Sequence, residues 1–186
     1  MTDILIVYGT AYGQTERIVQ RIAQRLGEQG HRVSVRRADQ PQPLPVEEYG
    51  AVVVAASVLF GKHQRSVRDF VRRRLSRLQA VPAAFVSVSG AAAGSSPESC
   101  KQAQGYVQDF LRQTGWRPGV TQTFAGGVPY TRYGPFRRWM MKMISRRTGG
   151  PTDTSRDYEF TDWDAVDRFA AELARTVSVT AGGPAP

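Results

Sequence analysis

Three stretches of this chain are apolar on both sides of a two-residue alternation: Ile4-Leu5-Ile6-Val7-Tyr8, Ala51-Val52-Val53-Val54-Ala55-Ala56 and Ala83-Ala84-Phe85-Val86-Ser87-Val88. A strand of that kind must be covered on both faces, the habit of parallel sheets flanked by helices. Helical patterns lie between the strands, from Thr15 to Gln29 before Gly30, from about Gln64 to Leu78, from about Pro97 to Thr114 before Gly115, and from Trp163 to Val177. His31 to Arg37 alternates Val33 and Val35 with polar residues, as an edge strand does, and Val120 to Ala125 is a fifth strand. His31 is read as a surface residue, and Pro41, Pro43 and Pro45 fill a loop. Five strands alternating with helices in 186 residues imply one α/β domain over residues 1–178, with 179–186 as a disordered tail.

Chemistry enters where the first strand turns into the first helix, at Gly9-Thr10-Ala11-Tyr12-Gly13-Gln14-Thr15. Such a turn gathers backbone N–H groups, hydroxyls and the positive end of a helix dipole around one point, which suits an anion. The nucleotide motifs are absent. Gly13 is followed by Gln14 rather than by the Lys of a triphosphate P-loop, and Glu16 stands where the third glycine of a dinucleotide loop belongs. A single phosphate monoester remains, against the plainer reading in which Thr15 caps the helix. The loops after the other two buried strands, Ser57-Val58-Leu59-Phe60-Gly61-Lys62-His63 and Ser89-Gly90-Ala91-Ala92-Ala93-Gly94, end on the same side of a parallel sheet. Small residues in the second let backbone approach a flat ligand.

The formal charge of +9 favours an anionic partner but does not choose among nucleic acid, membrane and acidic small molecule. The arginines of the second helix, Arg65 to Arg77, read as a solvated face. The start Met1-Thr2-Asp3-Ile4 reads as lacking a signal peptide. The longest largely apolar run, Ala51 to Phe60, is far shorter than the ~20 residues a membrane span needs. Cys100 alone excludes an internal disulfide framework and fits a reducing compartment; it reads as an inert thiol.

Between the fifth strand and the last helix lie more than thirty residues, an insertion at about 127–158 that the sheet does not require. From Gly134 to Arg147, Phe136, Trp139, Met140, Met143 and Ile144 fall in an arc of about 140°, with Arg137, Arg138, Lys142 and Arg146 outside it. A basic amphipathic helix of this composition suits a membrane interface, a solvated face of the domain, or the carboxylates of a large acidic substrate.

Thr10-x-x-Gly13-x-Thr15 resembles the phosphate loop of the flavodoxin family, apart from Tyr12 where many members carry a short hydroxyl residue. That resemblance implies a flavodoxin-like doubly wound parallel sheet of order 2-1-3-4-5 and FMN at the carboxyl ends of strands one, three and four. A more specific likeness covers the chain up to about Ala174. Ala125 to Tyr133, Met140 to Ile144, Thr148 to Thr154, Tyr158 to Trp163, Gly13-Gln14-Thr15, Ala56-Ser57 with Gly61-Lys62-His63, and Gly115-Trp116-Arg117-Pro118 resemble the quinone-dependent protoporphyrinogen IX dehydrogenases, a flavodoxin-type family of haem biosynthesis.

This likeness implies an oxidoreductase that converts protoporphyrinogen IX to protoporphyrin IX with FMN and passes the electrons to a membrane quinone such as menaquinone. It implies a cytoplasmic protein held peripherally on the inner face of the cell membrane, at an anionic surface, with no nucleic-acid partner and no metal; a homo-oligomer stays open. Thr10, Ala11, Tyr12, Gly13, Gln14 and Thr15 are then expected at the phosphate, and Ser57, Val58, Leu59, Phe60, Gly61, Ser89, Gly90, Ala91 and Gly94 at the flavin ring. His63 is the candidate for a hydrogen bond or proton transfer at the ring edge, or else a surface histidine. Tyr130, Arg132, Tyr133, Arg137, Arg138, Trp139 and Lys142 are expected at the substrate or membrane, the arginines on propionates or lipid phosphates and the aromatics against the macrocycle. The competing functions are a soluble electron-carrying flavodoxin, which the positive charge disfavours, an NAD(P)H-dependent quinone reductase, and a nucleic-acid-binding module.

Overall fold

A computed structural model describes residues 1–40, 45–148 and 150–181, apart from the side chains of Arg137, Ile144, Arg147, Thr148, Thr180 and Ala181. The sheet strands are β1 (Asp3–Gly9), β2 (Arg32–Arg37), β3 (Ala51–Leu59), a short β4 (Lys62–His63), β5 (Ala83–Ser89) and β6 (Val120–Ala125). The helices are α1 (Gln14–Glu28), α2 (Arg65–Arg73), α3 (Leu75–Ala80), α4 (Pro97–Thr114), α5 (Pro135–Thr148) and α6 (Trp163–Ala181). The main sheet is parallel in the order β2-β1-β3-β5-β6, with β4 folded back antiparallel on β3. This is the expected doubly wound order; the hairpin adds one short strand to it.

Alternation along the strands divides the core in two. Ile4, Ile6 and Tyr8 of β1 face α1 and α6, where Ile18, Ile22, Val166, Phe169 and Val177 are buried. Leu5 and Val7 face Val67, Phe70, Val107, Phe110 and Trp116 on the opposite side. Each fully buried Leu, Ile or Phe contributes on the order of 1.5–3 kcal/mol, so the apolar strands hold both helical layers. Gly9 ends β1 where α2 crosses it, and a β-carbon there would lie 2.5 Å from Val67 Cγ2.

Several boundaries differ from the sequence reading. The helix expected from Gln64 to Leu78 breaks at Arg74, whose N–H donates to both Phe70 and Val71 carbonyls. The new turn aims Arg77 at the carbonyls of Glu47 and Tyr49, while Arg72 donates to the Gln113 carbonyl. These arginines hold neighbouring segments together rather than forming a purely solvated face. His31 is buried, not a surface residue, and burial lowers its pKa. Helix α6 continues through 179 and 180 to Ala181, past the expected start of the tail. Residues 182–186 and the loop prolines Pro41 and Pro43 lie outside the described residues.

Helices α1 and α6 are joined by one carboxylate. Asp167 accepts from Arg21 Nε and Nη2 at 2.7 and 2.8 Å and from Arg25 Nη2 at 2.6 Å. The two guanidiniums hold its carboxyl well below its usual 3.8. Its stabilising contribution is complete above that value and disappears as pH falls further, because the unfolded chain protonates first. Asp167→Asn is expected to cost about 1–2 kcal/mol in urea denaturation at pH 7, with the gap from wild type narrowing below about pH 4. A variant as stable as wild type at pH 7 would show that the bridge does not fasten the layer.

Candidate functional site

The loop after β1 is built as an anion cradle. Gly13 caps α1 at φ 94°, a left-handed conformation that puts strain on any side chain, and its N–H donates to Thr10 Oγ1 at 2.8 Å. The N–H of Ala11 donates to Ser57 Oγ at 3.2 Å, tying this loop to the end of β3. Ser57 Oγ also accepts from the amide of Gln64. The Thr15 side chain does not act as the helix cap. It is fully buried in the first turn, and its Oγ1 has no protein partner. A buried hydroxyl without a partner costs on the order of 1–3 kcal/mol, a cost that a ligand oxygen at the helix start would offset. The residues present therefore fit a phosphate.

The second expected loop is a β-hairpin. Strand β3 runs three residues beyond Ala56, turns at Phe60-Gly61 and returns as β4, with Val58 opposite His63 and Leu59 opposite Lys62. Phe60 sits at the tip with φ 51°, the one non-glycine residue with positive φ among the described residues, and is 72% exposed. A large aromatic in that conformation carries backbone strain on the order of 1–3 kcal/mol. The third loop leaves β5 at Ser89, whose Oγ accepts from the Ala92 N–H at 3.3 Å, and winds through one turn of 3-10 helix at Ala91–Ala93. Gly90 has open space where a β-carbon would stand.

His63, the candidate for the ring edge or else a surface histidine, is not on the surface. The hairpin turns it inward, where it is buried, 2.9 Å from Ser87 Oγ and edge-on to Phe85 and Phe110. Desolvation pushes its pKa down from 6.5 to about 4, so the imidazole is neutral at neutral pH and is a packing residue.

The insertion is folded and fastened. A two-stranded ribbon, β7 (Gly127–Val128) with β8 (Tyr158–Glu159), closes its two ends. Tyr130 is buried completely, and its hydroxyl lies 2.8 Å from both Ser145 Oγ and the Pro151 carbonyl. Thr131 binds Asp157 through its N–H at 2.9 Å and its hydroxyl at 2.8 Å. Arg138 donates to the Tyr130 carbonyl at 3.0 Å and reaches the Tyr133 carbonyl. Tyr130, expected against a macrocycle, is thus the centre of a small core, and Arg138, expected on a propionate or lipid phosphate, braces that core. Tyr133 is buried too and meets Tyr12 edge-on at 5.0 Å. The side chain of Arg137 lies outside the described residues.

Contacts between the insertion and the cradle are the feature that spacing in the sequence could not reveal. Arg132 Nη1 donates to the Tyr12 carbonyl at 2.8 Å. Gln14 donates to Glu159 at 3.0 Å and to Thr161 at 2.8 Å, and Arg17 pairs with Glu159 at 2.6 Å. Residues at both ends of the insertion therefore hold the loop after β1 and the first turn of α1. The outer face of α5 remains open, with Phe136 75% exposed, Trp139 60% exposed and Met143, Lys142 and Arg146 also exposed. Arg138, Trp139 and Lys142 line a cleft of about 340 Å³ with Pro135 and Thr154.

A flavodoxin domain model matches residues 5–155. The chain is 36% identical over 174 residues to "Protoporphyrinogen IX dehydrogenase [quinone]" of Escherichia coli strain K12, covering 91% of this chain and 93% of that protein. A protein of the same name from Leishmania major is 32% identical over 171 residues, covering 91% of this chain and 74% of its own length. The chain belongs to the quinone-dependent protoporphyrinogen IX dehydrogenase family of flavodoxin-domain oxidoreductases. Oxidised flavodoxin 1 from Bacillus cereus shares the fold, with a TM-score of 0.56 and 15% identity over 93% of this chain and 97% of that one. The flavodoxin domain indicates flavin binding.

The burial of His63 has a direct spectroscopic consequence. An NMR titration of the native protein is expected to place the His63 imidazole midpoint near 4. Because the unfolded chain protonates near 6.5, this group withdraws stability as pH falls from about 6.5 to 4. A midpoint near 6.5 would return the ring to solvent and to the ligand edge.

Proposed function

We propose that this chain uses FMN to dehydrogenate protoporphyrinogen IX to protoporphyrin IX in haem biosynthesis, with a membrane quinone of the menaquinone type as acceptor. The observation that carries the reading is the match over 91% of the chain to relatives that bear this activity in their name. The structure adds a fastened insertion with an aromatic and cationic outer face beside a flavodoxin cradle. Bound FMN supplies the two-electron redox chemistry. The substrate gives up six hydrogens, which balance the reduction of three quinones to three quinols.

The protein's part is to bind and to orient. Residues Thr10 to Thr15 hold the phosphate, and the hairpin Ser57 to Gly61 with the loop Ser89 to Gly94 borders the ring. Phe60, projecting from the hairpin tip, offers a flat surface beside the ring. Lys142 and Trp139 in the cleft on α5 offer a cation and an aromatic plane to a propionate-bearing macrocycle. Phe136, Trp139 and Met143 with Lys142 and Arg146 suit an anionic membrane surface, where the quinone is dissolved. No helix of the described residues is long and apolar enough to cross a membrane. A peripheral position on the inner face of the cell membrane follows from this reading.

The test is anaerobic. Protoporphyrinogen IX is expected to bleach the flavin and yield porphyrin fluorescence, and a menaquinone analogue in anionic vesicles is expected to restore the flavin colour. The double change Phe136→Ser with Trp139→Ser should reduce vesicle binding and the vesicle-dependent rate at least about tenfold while leaving flavin binding intact. Flavin that stays oxidised with the porphyrinogen but bleaches with NADPH would contradict the proposal.

A further inference from the structure

The phosphate cradle contains a charge problem. A phosphate monoester carries nearly two negative charges at neutral pH, while a helix start offers about half a positive charge. The loop from Gly9 to Thr15 contains no lysine or arginine. Arg17, one turn into α1, is paired with Glu159 at 2.6 Å. A cation does reach the loop, from more than a hundred residues away in sequence. Arg132 places Nη1 2.8 Å from the Tyr12 carbonyl, and the same atom would lie 3.4 Å from a β-carbon on Gly13.

This arginine is also placed by its surroundings. The Tyr130–Arg132 turn is anchored below by the buried Tyr130 hydroxyl, and Thr131 is fixed to Asp157. On the other side Tyr133 packs edge-on to Tyr12. Arg132 remains exposed, and among the described residues no carboxylate pairs with it. A guanidinium has five N–H donors in a fixed fork, and one bond to a carbonyl leaves donors available to an oxyanion.

We propose that Arg132 is the phosphate-recognising cation of the flavin site, supplied by the insertion to a loop that has none of its own. The inference rests on the flavin reading and deepens it: Arg132 selects the phosphorylated flavin over its unphosphorylated form. The insertion is then part of the cofactor site as well as its neighbour. Charge, rather than shape alone, decides the preference, and the preference weakens with salt because the arginine is exposed.

Arg132→Ala and Arg132→Lys separate this role from a structural one. The full-length chain, freed of flavin, is titrated with FMN and with riboflavin, and binding is followed by quenching of flavin fluorescence. Wild type is expected to prefer FMN. In Arg132→Ala the FMN affinity is expected to fall about 10–100-fold while riboflavin affinity stays within about twofold, which also reports an intact fold. Arg132→Lys, a point charge without the fork, should lie between them. Equal losses for both flavins would make Arg132 a prop for the Tyr12 carbonyl and overturn the proposal, as would unchanged FMN binding. If wild type binds neither flavin, the flavin reading itself fails and takes this inference with it.

Discussion

Burial of β1, β3 and β5 on both faces is the constraint from which the architecture follows. Strands without a polar side require helices above and below, and their parallel pairing brings their carboxyl ends to one edge of the sheet. Three loops meet at that edge. Chemistry is concentrated there because the strands themselves are fully committed to packing. Even Ser87, in the middle of β5, is buried and bound to His63 rather than offered to a ligand.

The insertion obeys a second, smaller constraint. Thirty-odd residues outside the sheet cannot draw on its core, so they are organised around one tyrosine. The Tyr130 hydroxyl joins α5 to the segment that returns toward the sheet, and the β7–β8 ribbon closes the excursion. With its polar bonds met inside, α5 can leave Phe136 and Trp139 in solvent. The same ribbon places Glu159 against Gln14 and Arg17. The insertion and the segment from Tyr12 to Arg17 are consequently one connected structure.

Much of this was legible in the sequence, for definite physical reasons. Period-two and period-3.6 patterns are local, so the strands and the long helices could be read from them, as could the ending of α4 at Gly115, whereas the sheet order came from the family resemblance. The Gly13 turn was marked by residue type. What could not be read was the direction of individual side chains. His63 looked available because it follows a loop, yet the two-residue turn of the hairpin sends it inward. Tyr130 and Arg138 were expected at the substrate or membrane from the family likeness; their partners within the protein are a hydroxyl and backbone carbonyls whose positions no spacing encodes. The Arg132 contact with Tyr12 spans 120 residues and depends on the whole insertion being folded. The positive φ of exposed Phe60 was visible only in the structure.

The central claim is that the three sheet-edge loops and the base of the insertion form a single flavin site. Hydrogen–deuterium exchange measured with and without FMN tests it directly, because it reports each segment separately. The account predicts slowed exchange at 10–15, 57–61 and 89–94 together with 130–133 and 158–161. Protection confined to the first three segments, with the insertion exchanging as it does without flavin, would contradict it.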